Sequence, residues 1–243
     1  MSMRTLTAIG LVAAGWLAAG RTGAAEPDAV FQPVSLRRAA DAGPRLYAAG
    51  ILGASFAMLD VEDFSSVKDP LFTSGGALGI EFARPWRLEV EGRARDPIAD
   101  VQTGSDTTTA LAASGGWSAM VNLWRDVEVT DRLGLYVGGG IGGGGYRFKL
   151  AGESPPPFDI TLDAAEVVNS FAWQAGGGLA YALTDRITLD LGYRFFALTG
   201  GSVNVTQSLS GAVFDTFPLQ TDFSANELFF AIRIYEPFRM FRR

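Results

Sequence analysis

Two carboxylates stand two residues apart in the stretch WRLEVEGRAR, residues 86–95: Glu89 and Glu91. On an extended strand such residues share a face, about 7 Å apart. That spacing suits the acid and base of a glycosidase. Two features argue against the chemistry. Arg87 and Arg93 flank the pair on the same face and would keep both carboxylates ionised, whereas a general acid must hold a proton. The chain also has no histidine, so Ser–His and Asp–His proton relays and histidine-ligated metals are ruled out. Gly138, Gly140 and Gly143 match G-x-G-x-x-G, but a dinucleotide site needs a helix next. Tyr146-Arg147-Phe148 continues a strand pattern instead. Such glycines read better as room for bulky neighbours. No catalytic, cofactor or metal residue is assigned, and the chain is read as a non-enzyme.

The elements that hold these residues are strands. Leu88, Val90, Gly92 and Ala94 alternate with Arg87, Glu89, Glu91, Arg93 and Arg95, the period-two signature. Similar alternation marks residues 45–58, 74–82, 113–124, 133–149, 169–182, 187–196 and 226–235, which makes eight strands with Trp86–Arg95. Three connections are short (83–86, 125–132, 183–186) and four are long (59–73, 96–112, 150–168, 199–224). Short and long alternate strictly, although 199–224 is long enough to hide a further hairpin and make ten strands. A meander in solution has no reason for this asymmetry. An even-numbered membrane barrel does, with tight periplasmic turns and free extracellular loops. The fold class read from this pattern is all-β: an eight-stranded antiparallel up-and-down transmembrane β-barrel, residues 45–243.

Composition agrees. Residues 1–25 read as a signal peptide: Arg4, then an apolar run, then small residues before Glu26. Residues 26–44 have little periodicity and read as a periplasmic lead-in. The chain lacks cysteine, which excludes disulfides and a lipid-modified cysteine. Loss of Arg4 and Arg21 with the signal leaves 18 basic against 26 acidic residues, a balance of −8. Nucleic acid is a poor partner for that charge.

Alternation alone does not say which face is wet. A soluble barrel buries its apolar face, and a membrane barrel turns it toward lipid. The alternating connections favour the membrane. So do aromatics near the strand ends: Tyr47, Phe82, Trp86, Trp124, Tyr181, Tyr235 and Phe238 at the turn end, and Phe56, Trp117, Tyr146, Phe171, Trp173 and Phe195 at the loop end. On this reading Leu88, Val90, Leu189, Leu191, Phe230 and Ile232 face lipid. The opposite faces carry Glu81, Glu89, Glu91, Asp190 and Glu227 against Arg87, Arg93, Arg194 and Arg233, summing to −1. A narrow interior tolerates charges only if they neutralise one another, so these nine are read as an ion-pair network across the lumen. The long connections carry thirteen acids and only Lys68 as a base: Asp60, Glu62, Asp63, Asp69, Asp96, Asp100, Asp106, Glu153, Asp159, Asp163, Glu166, Asp215 and Asp222. No spacing among them matches a calcium loop.

WRLEVEGRAR resembles the third strand of small outer-membrane barrels of the opacity and outer-membrane-protein-A superfamily. RLGLYVGGGIGGGGYR (132–147), FAWQAGGGLAYALTDRITLDLGYRFF (171–196) and the end of the last strand resemble the same proteins. The resemblance implies an eight-stranded barrel in a Gram-negative outer membrane. One departure stands out. Such chains usually end on an aromatic residue read by the assembly machinery, whereas here Phe238 precedes Arg239-Met240-Phe241-Arg242-Arg243.

The functional expectation is a monomeric surface barrel, structural or adhesive, with a lumen largely closed by the Arg/Glu network. Its partners would be outer-membrane lipid and lipopolysaccharide, with divalent cations held at an acidic rim, or a host or envelope ligand met through the loops. The alternatives are a narrow porin-like channel and a soluble periplasmic ligand-binding barrel.

Overall fold

A computed structural model describes residues 44–61, 67–83, 85–103, 108–154 and 159–236. The expected signal peptide and lead-in, the acids Glu62, Asp63 and Asp106, and the segment from Phe238 onward lie outside the described residues.

Nine β-segments follow one another: β1 (Arg45–Val61), β2 (Val67–Ala83), β3 (Trp86–Arg95), β4 (Ile98–Thr103), β5 (Thr108–Glu128), β6 (Leu133–Glu153), β7 (Ile160–Ala182), β8 (Ile187–Leu209) and β9 (Ala212–Tyr235). All pair antiparallel, in the order β3-β2-β1-β9-β8-β7-β6-β5-β4, and β3 also pairs with β5. That last pairing closes the ring. β3 and β4 both lie along β5, from Trp86↔Arg125 to Thr103↔Thr108, and so fill one position in the wall. The ring therefore has eight positions. The chain breaks between them at Asp96-Pro97, where proline has no N–H for a ladder.

The turn end is tight, and the sequence dictates why. Val129-Thr130-Asp131-Arg132-Leu133 and Leu183-Thr184-Asp185-Arg186-Ile187 repeat one motif. In each the threonine Oγ1 accepts two backbone N–H bonds: from Arg132 (3.3 Å) and Leu133 (3.0 Å), and from Arg186 (3.2 Å) and Ile187 (3.0 Å). A threonine hydroxyl fixes a turn in this way without glycine.

The far end corrects the expectation of long loops. Residues 199–224 are mostly strand, a continuation of β8 and β9 that meets at Ser210-Gly211, both with positive φ (49° and 81°). The hairpin adds length to existing strands, so the count stays at eight. β5 to β9 run 21 to 24 residues, roughly twice the 9–11 that a membrane crossing needs. Of the thirteen acids, Asp60, Asp69 and Asp100 lie on β1, β2 and β4, and Glu153, Asp163, Glu166, Asp215 and Asp222 on β6 to β9, while Asp96 and Asp159 sit just outside the strands.

Polarity inverts along each long strand. Near the turn end of β9, Leu228, Phe230 and Ile232 are exposed on the outer wall while Glu227 and Arg233 are buried inside. Farther along, Gln220 and Asp222 are exposed and Leu219, Phe223 and Ala225 are buried. β6 does the same with Arg147 and Lys149 outside and Phe148 and Leu150 inside. The far half of the lumen is an apolar core that includes Leu59, Ile98, Met120, Phe148, Phe196, Val203, Val205 and Phe223. One molecule is thus apolar-out near its turns and apolar-in beyond.

Candidate functional site in the lumen

The charged residues gather in the turn-end half, where alternation on β3 sends Arg87, Glu89, Glu91, Arg93 and Arg95 inward while Leu88 and Val90 stay exposed. They form two tiers. In the tier nearer the turns, Arg87 Nε donates to Asp126 Oδ2 at 2.6 Å. Arg233 grips Asp190 with two bonds, Nε–Oδ2 at 2.6 Å and Nη2–Oδ1 at 2.7 Å. Bidentate pairing of this kind suits the planar guanidinium. Glu89 is received by neutral donors: Tyr47 Oη (2.8 Å), Asn122 Nδ2 (3.2 Å) and Trp124 Nε1 (3.4 Å).

The second tier centres on Glu227, whose side chain is fully buried. It accepts from Arg194 Nε (2.6 Å), Arg95 Nε (2.9 Å) and Arg93 Nη1 (3.2 Å). Glu91 accepts Arg194 Nη1 at 2.7 and 2.9 Å and Arg93 Nε at 3.1 Å. Asn122 ties the tiers together, because its amide also donates to Glu91 (3.3 Å) and its oxygen accepts from Gln174 (2.6 Å). Arg93 and Arg194 both lie over the Phe229 ring (5.4 and 5.3 Å), and Arg95 over Phe196 (3.9 Å). Ion pairs, amides and rings together span the lumen from β3 to β9. In the second tier each carboxylate is matched by guanidinium donors, whereas Glu89 in the first accepts from neutral ones.

Eight of the nine residues expected in the lumen are buried there, divided between the two tiers. Glu81 is half-buried at the edge. Of the six expected to face lipid, Leu88, Val90, Leu191, Phe230 and Ile232 are exposed on the outer wall, and Leu189 is half-buried. Several functional residues escaped the sequence reading. Arg95 is in phase with Arg87 and Arg93, so its alternation could have found it. Asp126, Asn122 and Trp124 share the inward phase of β5. Four expected girdle aromatics instead point inward: Tyr47, Trp124, Tyr146 and Tyr235. β1 carries apolar residues on both faces, so phase alone did not orient Tyr47. Two of these rings, Tyr47 and Trp124, are admitted by glycine across the ladder. A Cβ at Gly79 would collide with the Tyr47 ring, and one at Gly138 with Trp124.

A closed antiparallel ring with an exposed apolar belt and a charged interior is the architecture of a bacterial outer-membrane β-barrel. The chain belongs to the family described as outer membrane protein beta-barrel domain, whose model matches residues 29–215. Outer membrane protein PagN of Salmonella typhimurium is 26% identical over 180 residues, 67% of this chain and 72% of PagN. An uncharacterized protein of Brucella abortus is 33% identical over 89 residues, and that match spans 35% of this chain and 31% of the relative. Neisserial surface protein A superposes with a TM-score of 0.45 at 15% identity, over 79% of this chain and 98% of that one. The bacterial outer membrane is therefore where this protein resides, and the soluble periplasmic alternative falls.

Proposed function

We propose that the protein is a surface barrel with a closed lumen, structural or adhesive in role. The observation that carries this is the Glu227 tier, in which three guanidiniums converge on one buried carboxylate inside a narrow ring. Passage of a hydrated solute would require those charges to separate in a low-dielectric space, which is costly. The same tier engages Glu91 with Arg93 and Arg194, which argues against a catalytic acid–base pair of Glu89 and Glu91.

On this reading the exposed belt of Leu88, Val90, Leu191, Phe230 and Ile232 meets lipid, with Leu189 at its packed margin. Residues 1–25 serve export, the turns face the periplasm, and the long strand ends stand outside the cell. The extension carries its acids outward: Glu153, Asp159, Asp163, Asp215 and Asp222 are exposed. Among the described residues no group of three or more acids could hold a metal ion. The exposed acids suit a basic partner met at this surface.

Planar-bilayer recordings test the closed lumen. The wild-type barrel is expected to give no steady conductance, and a steady one would favour the narrow channel instead. Arg93→Ala should open at most a small, noisy path. For adhesion, cells displaying the barrel should lose attachment when Asp163, Asp215 and Asp222 are changed to Asn together. Unchanged attachment would remove the acidic surface from the account.

A further inference from the structure

The β8–β9 hairpin stands clear of β1. β9 ladders with β1 only as far as Val61↔Thr221, so residues 212–220 have β8 alone beside them among the described residues. On the other flank β7 begins level with the apex, at Ile160↔Leu209, and the Ser210 N–H donates to the Asp159 carbonyl at 3.0 Å.

The apex differs in two ways from the surface around it. First, the hairpin is uncharged: no Asp, Glu, Lys or Arg occurs between Arg194 and Asp215, whereas Asp159, Asp163, Asp215 and Asp222 stand exposed beside and below it. Second, it is apolar on both faces. Leu209 continues the inward phase of Val203 and Val205, while Val213 lies opposite Ser208 and so takes the outward phase. Gln207↔Asp215 is followed by Ser208↔Val213, which leaves Phe214 as the extra residue of a β-bulge, a device that re-aims a side chain. Leu209, Val213 and Phe214 are 48%, 65% and 55% exposed, and every residue from 209 through 216 is exposed. Grouped exposed apolar side chains mark an interaction site. The barrel's own bilayer does not reach them. Val213 lies fifteen residues along β9 from Leu228 in the belt, about 50 Å of strand and about 35 Å of height at the usual tilt of about 45°.

From this we propose that the apex inserts into a second membrane, with Leu209, Val213 and Phe214 as anchors and a zwitterionic phospholipid surface as the partner. A groove on a protein covers one side of a strand, whereas a bilayer closes around a protruding tip from all sides and so suits apolar residues on both faces. The lack of charge lets the tip enter the boundary between headgroups and acyl chains. Asp159 and Asp215, beside the apex, then lie at headgroup level, where anionic lipid repels them and a zwitterionic surface does not. The inference deepens the adhesive reading and rests on its placement of the strand ends outside the cell.

The chain has no cysteine, so Ala212→Cys carries one environment-sensitive fluorophore at the apex and keeps all three anchors. The folded barrel, in nanodiscs that cover its belt, is titrated with phosphatidylcholine vesicles. Emission should shift to the blue as lipid is added, and acyl-chain spin labels in the vesicles should quench it. Mixing in phosphatidylglycerol should weaken the response. Phe214→Ser in the same protein should weaken it at least about tenfold, the worth of one buried phenylalanine side chain, with heat-modifiable migration unchanged. No response to vesicles, an equal response in Phe214→Ser, or a stronger one to phosphatidylglycerol would overturn the proposal. Cell attachment that is lost in Phe214→Ser while the purified barrel ignores vesicles would mean a protein receptor at the apex, and would overturn the lipid assignment. Labelling of Ala212→Cys on intact cells with a membrane-impermeant maleimide checks the placement separately. An unlabelled apex would overturn the outward reading and this inference with it, whereas a labelled apex that ignores vesicles would overturn this inference alone.

Discussion

Replacing Glu227 by Gln is the sharpest perturbation of the lumen, because one uncharged atom pair takes the place of the charge on which three arginines converge. The side chain keeps its shape and stays buried. Arg93, Arg95 and Arg194 would then face Glu91 alone, and the excess in that tier would rise from one positive charge to two. Removing one partner of a buried ion pair typically costs about 3–5 kcal/mol, since the other is left uncompensated. Here Arg194 retains Glu91 at 2.7 Å, while Arg95 loses its carboxylate outright. The expected loss is therefore about 3–4 kcal/mol, the lower half of that range. Reversible urea unfolding in lipid vesicles, followed by tryptophan fluorescence, measures it. Pairing Glu227→Gln with Arg194→Met returns the tier to a single excess charge, so the double variant should be less unstable than the sum of the singles by at least about 1 kcal/mol. Additivity within about 0.5 kcal/mol would mean that the two groups do not interact. A single-variant cost below about 1 kcal/mol would mean that water already screens the tier as it does at a surface. Either result refutes a dry, ion-paired plug.

Other expectations follow from the same geometry. Leu191→Arg, on the exposed belt, should cost about 2–4 kcal/mol in vesicles, while Val213→Arg, beyond the polarity inversion, should cost near zero. Equal costs would mean that the belt is misplaced. Gly79→Val should lose about 1–3 kcal/mol by overpacking against Tyr47, visible as a lower unfolding midpoint, and Tyr47→Ala in the same chain should recover part of it. Thr184→Ala removes the acceptor for the Arg186 and Ile187 amides and should cost about 1 kcal/mol with lumen and belt intact, checked by unfolding and by unchanged heat-modifiable migration.

The alternation that reveals the barrel is plain in the sequence wherever one face is charged. Residues 86–95 and 187–196 could be phased by eye, which is why the inward arginines and glutamates and the exposed leucines were legible. Legibility failed where both faces are apolar or the code reverses. β1 offers leucines and alanines on each side, so Tyr47 was assigned to the wrong wall. Val203-Asn204-Val205 and Arg147-Phe148-Lys149 alternate as cleanly as any stretch in the chain, but with the apolar residue inside. Measured against an apolar-out template, residues 203–205 read as loop, and residues 147–149, although placed at the end of a strand, give no sign that the faces reverse. Cross-strand partners were legible only as types: the convergence on Glu227 needs the register Arg194↔Glu227, which no local pattern encodes.

In the proposed placement, that reversal also marks where the bilayer ends. Water surrounds the far half of the ring, so the hydrophobic effect drives apolar side chains inward there, as in any soluble barrel. Lipid surrounds the near half, where the apolar side chains gain nothing by turning inward and the interior must be filled by groups that satisfy one another. The two regimes meet just past the Glu227 tier, between exposed Leu228 and exposed Asp222 on β9 and between exposed Tyr193 and exposed Ser202 on β8. Arg95 sits at that junction, with its Nε on Glu227 below and its plane against Phe196 above. A barrel that stopped at the membrane would open on water there. This one caps its charged tier with an apolar core, which keeps the ion pairs in a low-dielectric space and strengthens each of them. Stability of the tier should therefore depend on the extension: Phe196→Ser, which admits water above Arg95, should weaken the coupling between Glu227 and Arg194 as well as costing its own burial. If the double-mutant coupling measured in a Phe196→Ser background equals that in the native chain, the apolar half does not protect the charged half, and the two are independent structures that merely share strands.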